Sequence, residues 1–213
     1  MKTPKAILFD LEGVVIDSEI VWDDVDYAWF ELHNDTFKPD EMRHLVMGKS
    51  IDQATEIYKE LLNLPQPITE LNEERHKIAQ ELFSKEIAFI DGFKPFFEAQ
   101  VRGRYQVAVA TSLVHEFLQP IITKLKLDEL FSDHIYSIED IGFVSKPNPD
   151  IFLYAAKKLG MSPSDCIVFE DAPHGVEAAE AAGMYCIAIT TSTSRDRLTK
   201  ADQIIDSYSE IVI

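Results

Sequence analysis

Asp10 and Glu12 stand two residues apart directly after an apolar run, Ala6-Ile7-Leu8-Phe9, and Gly13 follows them. A carboxylate so placed can attack an electrophile, hold a hard cation or move a proton. Asp and Gly after an apolar run also do ordinary turn chemistry, and this segment alone does not separate the two. A second acidic pair, Glu170-Asp171, follows Cys166-Ile167-Val168-Phe169. Between them, Gln106-Val107-Ala108-Val109-Ala110 runs into the hydroxyls of Thr111-Ser112, which can donate to anionic oxygen. Lys146 opens the loop Lys146-Pro147-Asn148-Pro149-Asp150.

Apolar runs of this length read as buried strands of a parallel sheet, and in open α/β sheets ligands collect at the strands' carboxyl ends. From about Ile87 onward, strands and helices alternate, as expected for a parallel sheet with crossover helices. Asn148 is placed to cap a helix that Pro149 begins and Gly160 follows. A further helix starts near His174 and stops at Gly183, and Pro120 should kink or restart the helix it interrupts. From Asp17, read as a helix cap, to about Glu86 the pattern is helical. Val21, Val25, Ala28, Trp29 and Leu32 share one helical face, as do Ile51, Ala54, Ile57, Tyr58 and Leu61.

The chain has 213 residues, enough for one sizeable core or a core with a smaller insert. Its formal net charge of −17 argues against nucleic-acid binding and against docking on anionic membranes. An anionic substrate would need local positive charge, from a bound cation and a lysine. Cys166 and Cys186 lie in apolar runs and read as buried reduced thiols. No leader-like or membrane-spanning run is seen, so the expected location is cytoplasmic. The oligomeric state is left open by the sequence, with a monomer as the expectation.

The order Asp-x-acid-Gly, Thr-Ser, Lys-Pro, Glu-Asp, spread over nearly the whole chain, resembles the haloacid dehalogenase-like hydrolases. The closer likeness is to their sugar-phosphate phosphatases and β-phosphoglucomutase-like members. The resemblance implies an α/β fold: a Rossmann-like parallel-sheet core from residues 1–16 and 87–213, with an α-helical cap domain inserted at 17–86. It implies Mg²⁺-dependent hydrolysis of a small phosphorylated metabolite, a sugar or polyol phosphate, through an aspartyl-phosphate. Asp10 would be the nucleophile and Glu12 the general acid and then base. Asp10, Glu170, Asp171 and the backbone carbonyl of Glu12 would hold the Mg²⁺. Lys146, the Thr111 hydroxyl and the Ser112 N–H would bind the phosphoryl group.

Three features depart from the family pattern. Glu12 replaces the usual Asp; its extra methylene moves the proton-transferring oxygens by roughly an ångström, a displacement that can cost on the order of 10²-fold in rate. A shifted backbone or a larger leaving group would accommodate it. Ile20-Val21-Trp22 stands where the mutases read Pro-x-His, which favours a phosphatase and leaves Trp22 between core packing and substrate contact. Ile90-Asp91-Gly92 has Asp-Gly where Pro-Gly is usual. In the cap, Met47-Gly48-Lys49-Ser50 resembles a substrate-closing loop with Lys49 as a contact, ahead of the weaker Arg43, His44 and Lys77. The alternatives are a phosphosugar mutase, or a low-activity phosphate-ligand binding protein marked by Glu12.

Overall fold

The structure is a computed structural model that describes residues 4–33, 42, 45–46, 50–85 and 87–213. The chain divides into two compact units, Met1–Asp17 with Ala88–Ile213, and Ser18–Ile87.

The first unit is built on six strands: β1 (Ala6–Phe9), β4 (Gln106–Thr111), β5 (Ile135–Ser137), β6 (Cys166–Glu170), β7 (Tyr185–Ile189) and β8 (Gln203–Ile205). They pair in the order β5-β4-β1-β6-β7-β8, and all five pairings are parallel. β1 therefore lies at the point where the strand order reverses, between β4 and β6, which is where open α/β sheets bind ligands. A short antiparallel pair, β2 (Ile16–Asp17) with β3 (Ala88–Phe89), stands apart from this sheet. Asp17 thus belongs to a strand, and Ser18 takes the cap position of the following helix, because Asp17 is claimed by its pairing with Ala88.

Alternation along β1 explains both faces of the sheet. Ala6 and Leu8 point to a layer with Ala108, Ala110, Val168 and Ala188, covered by Phe152, Val176 and Ala179. Phe9 points to the opposite layer, an aromatic stack: its ring lies 5.2 Å from Phe169, 5.7 Å from Phe93 and 5.8 Å from Phe131. Small residues on one face let helices approach closely, and rings fill the other. Cys166 and Cys186 are buried and free as expected, and burial pushes both thiols up.

The second unit holds α1 (Glu19–Leu32), α2 (Ile51–Leu62) and α3 (Ile68–Lys85). Ser50 starts α2 through a capping box with Gln53. Val21, Val25 and Trp29 of α1 are buried, as are Ala54 and Tyr58 of α2, whereas Leu32 and Leu61 are exposed. The hydrophobic spacing missed a buried polar group at the centre. Arg75 of α3 pairs with Asp26 of α1, donates to Thr55 Oγ1 (2.9 Å) and the Ile51 carbonyl (3.1 Å), and lies over the rings of Trp29 and Tyr58.

The remaining helices belong to the first unit: α4 (Phe93–Phe96), continued by a π-helical turn over Phe97–Val101, α5 (His115–Leu125), α6 (Asp128–Phe131), α7 (Asp150–Lys158) and α8 (Pro173–Ala181). Two readings resolve in detail. α5 runs through Pro120 without restarting. Asn148 does not cap α7; its side chain donates to the Ser145 carbonyl in the preceding turn, and Pro149 takes the cap position. Among the described residues no helix is long and apolar enough to cross a membrane.

Candidate active site

The parallel register brings three strand tips together. Phe9 is paired with Val109 on one side and Phe169 on the other, so Asp10 follows level with Ala110 and Glu170. The Asp10 N–H donates to the Phe169 carbonyl at 2.9 Å, extending the ladder by one bond and fixing where the carboxylate starts. Lys146 reaches the same place from the loop before α7. Its Nζ donates to Asp10 Oδ1 (2.5 Å) and Glu170 Oε1 (2.7 Å), and its side chain is 2% exposed. The ammonium also faces the Phe152 ring at 4.7 Å. A lysine this dry is retained only because it is paired on two sides.

Glu170 is the most constrained of the acids. Its other oxygen, Oε2, accepts the N–H groups of Asp171 (2.8 Å) and Ala172 (2.9 Å) at the start of α8, a favourable place for an anion. Gly175, in the first turn of α8, lies against the same carboxyl: a Cβ there would sit 1.7 Å from Oε1. Both oxygens of Glu170 therefore accept protein donors, and through Oε1 it braces Lys146. Asp171 is arranged differently. Ser192, after β7, donates its hydroxyl to Asp171 Oδ2, and a Cβ on Gly13 would lie 1.9 Å from that oxygen. Gly13 has φ +69°, a second reason for glycine at this turn.

The electrostatics follow from three acids and one lysine in a buried space. Burial pushes the Asp10 carboxyl up to about 7; Lys146 opposes this, and the Glu170 charge adds to it. Asp171 is raised well above the usual carboxylate range by burial and by the charges of Glu170 and Asp10. Burial also acts upward on Glu170, but the Lys146 charge and the hydrogen bonds from Lys146 and Ala172 outweigh it and hold this carboxyl low. Lys146 is held above the ordinary lysine range; burial works against the charge, and Asp10 and Glu170 overcome it. Two acids that resist ionisation side by side make an oxygen-rich, electron-rich place whose missing component is positive charge. Its donors fit a hard divalent cation, which takes oxygen ligands and fills the rest of its shell with water. Among the described residues no three His, Cys, Asp or Glu side chains are arranged around one ion. Among the described residues, Asp10 Oδ2 and Asp171 Oδ1 are the carboxylate oxygens here that no protein donor takes.

Thr111, at the tip of β4, is buried. Its Oγ1 accepts the Leu113 N–H at 3.1 Å, which leaves the hydroxyl proton for a further acceptor. Ser137 of β5 ties down the same turn by donating to the Leu113 carbonyl at 2.6 Å. Ser112 between them is exposed. Glu12 is half-buried and bridged through its backbone to Ile16.

Among the residues assigned to the helical unit, Trp22 packs edge-on against Phe83 with ring centroids 4.9 Å apart, and Lys77 is exposed on α3. Lys49, Arg43 and His44 lie outside the described residues. The reading of motifs missed Gly175, Thr191 and Ser192. Thr191 donates its hydroxyl to the Gly13 carbonyl. A signal was present for the hydroxyls: β7 is followed by Thr190-Thr191-Ser192-Thr193-Ser194, as β4 runs through Thr111 into Ser112, and the strand-tip rule applies to both. For Gly175 no local signal exists, since its need arises from contact with Glu170.

Comparisons with known proteins place the chain in a family. The chain is 27% identical over 226 residues to hexitol phosphatase B of Escherichia coli K12, covering 99% of this chain and 97% of that one. It is 26% identical over 218 residues to the phosphorylated carbohydrates phosphatase of Thermotoga maritima, covering 98% and 100%. Among solved structures, a HAD hydrolase, family IA, variant 3, from Entamoeba histolytica superposes with a TM-score of 0.79 at 30% identity, covering 98% of this chain and 96% of that one. The family model for haloacid dehalogenase-like hydrolases matches residues 4–183, a stretch that holds Asp10, Thr111, Lys146 and the Glu170-Asp171 pair, and the chain belongs to that family.

Proposed function

We propose that this chain is a Mg²⁺-dependent phosphatase that hydrolyses a small sugar or polyol phosphate through an aspartyl-phosphate on Asp10. The observation that carries the reading is the Lys146 ammonium bonded to both Asp10 and Glu170 at the reversal point of the sheet. Relatives along the full length of the chain that act on hexitol phosphates and phosphorylated carbohydrates support the substrate class.

Asp10 is fixed by its backbone bond to Phe169 and by Lys146 on Oδ1, which leaves Oδ2 to attack phosphorus. The bond from phosphorus to the ester oxygen breaks as the bond to Asp10 forms. Glu12, two residues on, gives a proton to the departing oxygen and then takes one from the water that hydrolyses the aspartyl-phosphate. Lys146 and the Thr111 hydroxyl bear on the phosphoryl oxygens, with the Ser112 N–H as a further donor. Asp10, Asp171 and the residue 12 carbonyl would hold Mg²⁺, which when bound lowers the repulsion between the attacking anion and the phosphoryl oxygens.

The test is release of inorganic phosphate from a panel of sugar and polyol phosphates with Mg²⁺, comparing the native chain with Asp10→Asn. Release by the native chain that disappears in the variant is the expected result. Transfer of phosphate between sugar positions without release would overturn hydrolysis in favour of a mutase, and release that persists in Asp10→Asn would overturn the nucleophile.

A further inference from the structure

We propose that Ser192 sets the ion selectivity of the site by restricting Asp171 to one ligating oxygen, so that the site takes Mg²⁺ and discriminates against Ca²⁺. This rests on the reading of Asp10 and Asp171 as ion ligands. Two separate observations close off the same atom. The Ser192 hydroxyl donates to Asp171 Oδ2, and the backbone of Gly13 crowds that oxygen so closely that a Cβ would come within 1.9 Å of it. Only Oδ1 remains for an ion.

The hydroxyl is placed by the fold, and not by a mobile side chain alone. Thr190 extends the β7–β8 pairing, its N–H donating to the Ile205 carbonyl at 3.0 Å, and its side chain donates to Asp206 at 2.7 Å. Arg195 closes the other end of the loop on Asp206 at 2.8 Å. Between these anchors Thr191 bonds the Gly13 carbonyl and Ser192 bonds Asp171, so one short loop fixes both the turn after β1 and the acid after β6. No other segment of the described chain hydrogen-bonds the Asp171 carboxylate through a side chain.

The consequence is chemical. Ca²⁺ takes six to eight oxygens at about 2.3–2.6 Å and commonly uses both oxygens of a carboxylate, whereas Mg²⁺ requires octahedral geometry at about 2.0–2.1 Å and takes single oxygens with water. A carboxylate with one oxygen committed to a hydroxyl can serve the second ion and handicaps the first. Removing the hydroxyl takes away one of the two restraints on Oδ2 and so weakens the discrimination.

The experiment is calorimetric titration of the chelator-treated full chain with Mg²⁺ and, separately, Ca²⁺, on the native protein, Ser192→Ala, Ser192→Thr and Asp171→Asn. Ser192→Ala is expected to shift the ratio of the two dissociation constants toward Ca²⁺ by roughly tenfold, the worth of one hydrogen bond to a charged group. Ser192→Thr keeps the native ratio, and Asp171→Asn loses binding of both ions. An unchanged ratio in Ser192→Ala with Mg²⁺ binding intact overturns the role of Ser192 and leaves the ion site standing. A native chain that binds no Mg²⁺ overturns both. If Ser192→Ala melts before titration, Ser192→Cys, a weak donor, takes its place: a ratio shifted toward Ca²⁺ supports the role of Ser192, and an unchanged one overturns it.

Discussion

Asp26→Ala should destabilise the helical unit far more than a surface ion pair would suggest. Arg75 is 2% exposed and Asp26 9% exposed. Asp26 Oδ1 takes Arg75, and Oδ2 accepts the Tyr58 hydroxyl at 2.6 Å. The Tyr58 phenol is pushed up, first by burial and then by the Asp26 charge, so it stays a donor at any ordinary pH. Among the described residues, Arg75 Nε already has no hydrogen-bond partner. Truncating Asp26 leaves a guanidinium without its counterion inside an aromatic cage, together with a buried phenol without an acceptor. Breaking a buried pair in this way costs about 3–5 kcal/mol, against about 0–1 kcal/mol for an exposed pair.

The assay is direct because both tryptophans of the chain, Trp22 and Trp29, lie on α1. Urea unfolding followed by tryptophan fluorescence therefore reports the helical unit. The double variant Asp26→Leu/Arg75→Met supplies the contrast: replacing the whole pair with apolar side chains of similar size should recover most of the loss. A loss below about 1 kcal/mol in Asp26→Ala, or a double variant no better than the single one, would refute the view that the pair is dry and mutually dependent.

Two further outcomes follow from the acid site. In chelator, Asp10 has a folded pKa of about 7 against the ordinary 3.8, so the folded state binds the proton more tightly and stability is lost as pH rises through that range. Asp10→Asn removes this, and its stability advantage over the native chain should grow by about 3 kcal/mol between pH 5 and 8; parallel melting curves across that range would contradict it. Gly175→Ala puts a methyl group 1.7 Å from Glu170 Oε1, so either the carboxyl or the start of α8 must move. A cost of about 2–3 kcal/mol and a loss of turnover are expected. Gly160→Ala, with φ +70° and open space around it, should cost only about 1 kcal/mol of backbone strain and leave turnover alone. Equal effects of the two, by thermal melting and phosphate release, would defeat the steric account.

What was legible in the sequence was legible for local reasons. β1, β4 and β6 are continuous apolar runs with a functional group at the end, and such runs announce both the strand and its tip. Lys146 was legible through the prolines around it. Asp26 and Arg75 were not, because a charged residue on a helix reads as solvent-facing, and only packing of α1 on α3 makes the two meet. Asn148 failed as a cap because capping signals specify a helix start only within a residue or two, and the turn before α7 used the side chain for its own carbonyl.

The substitution at Glu12 is where the fold narrows what the sequence left open. A longer acid could be accommodated by a moved backbone or by a larger leaving group. The turn that carries it is closed from several directions. Gly13 N–H donates to the Ile16 carbonyl at 2.8 Å, and the Val15 and Ile16 N–H groups both donate to the Leu11 carbonyl at 2.9 Å. Thr191 holds the Gly13 carbonyl, and the buried Tyr208 hydroxyl donates to the Val14 carbonyl at 2.8 Å. A shift of residue 12 large enough to offset a methylene would break several of these bonds, each worth about 1 kcal/mol when buried. The backbone is therefore the stiff partner, and under the proposed mechanism the extra reach of Glu12 has to be met by its rotamer and by where the leaving oxygen sits. The same bonds keep the residue 12 carbonyl in place, so lengthening the acid changes the proton-transfer position without moving the oxygen that would face the ion.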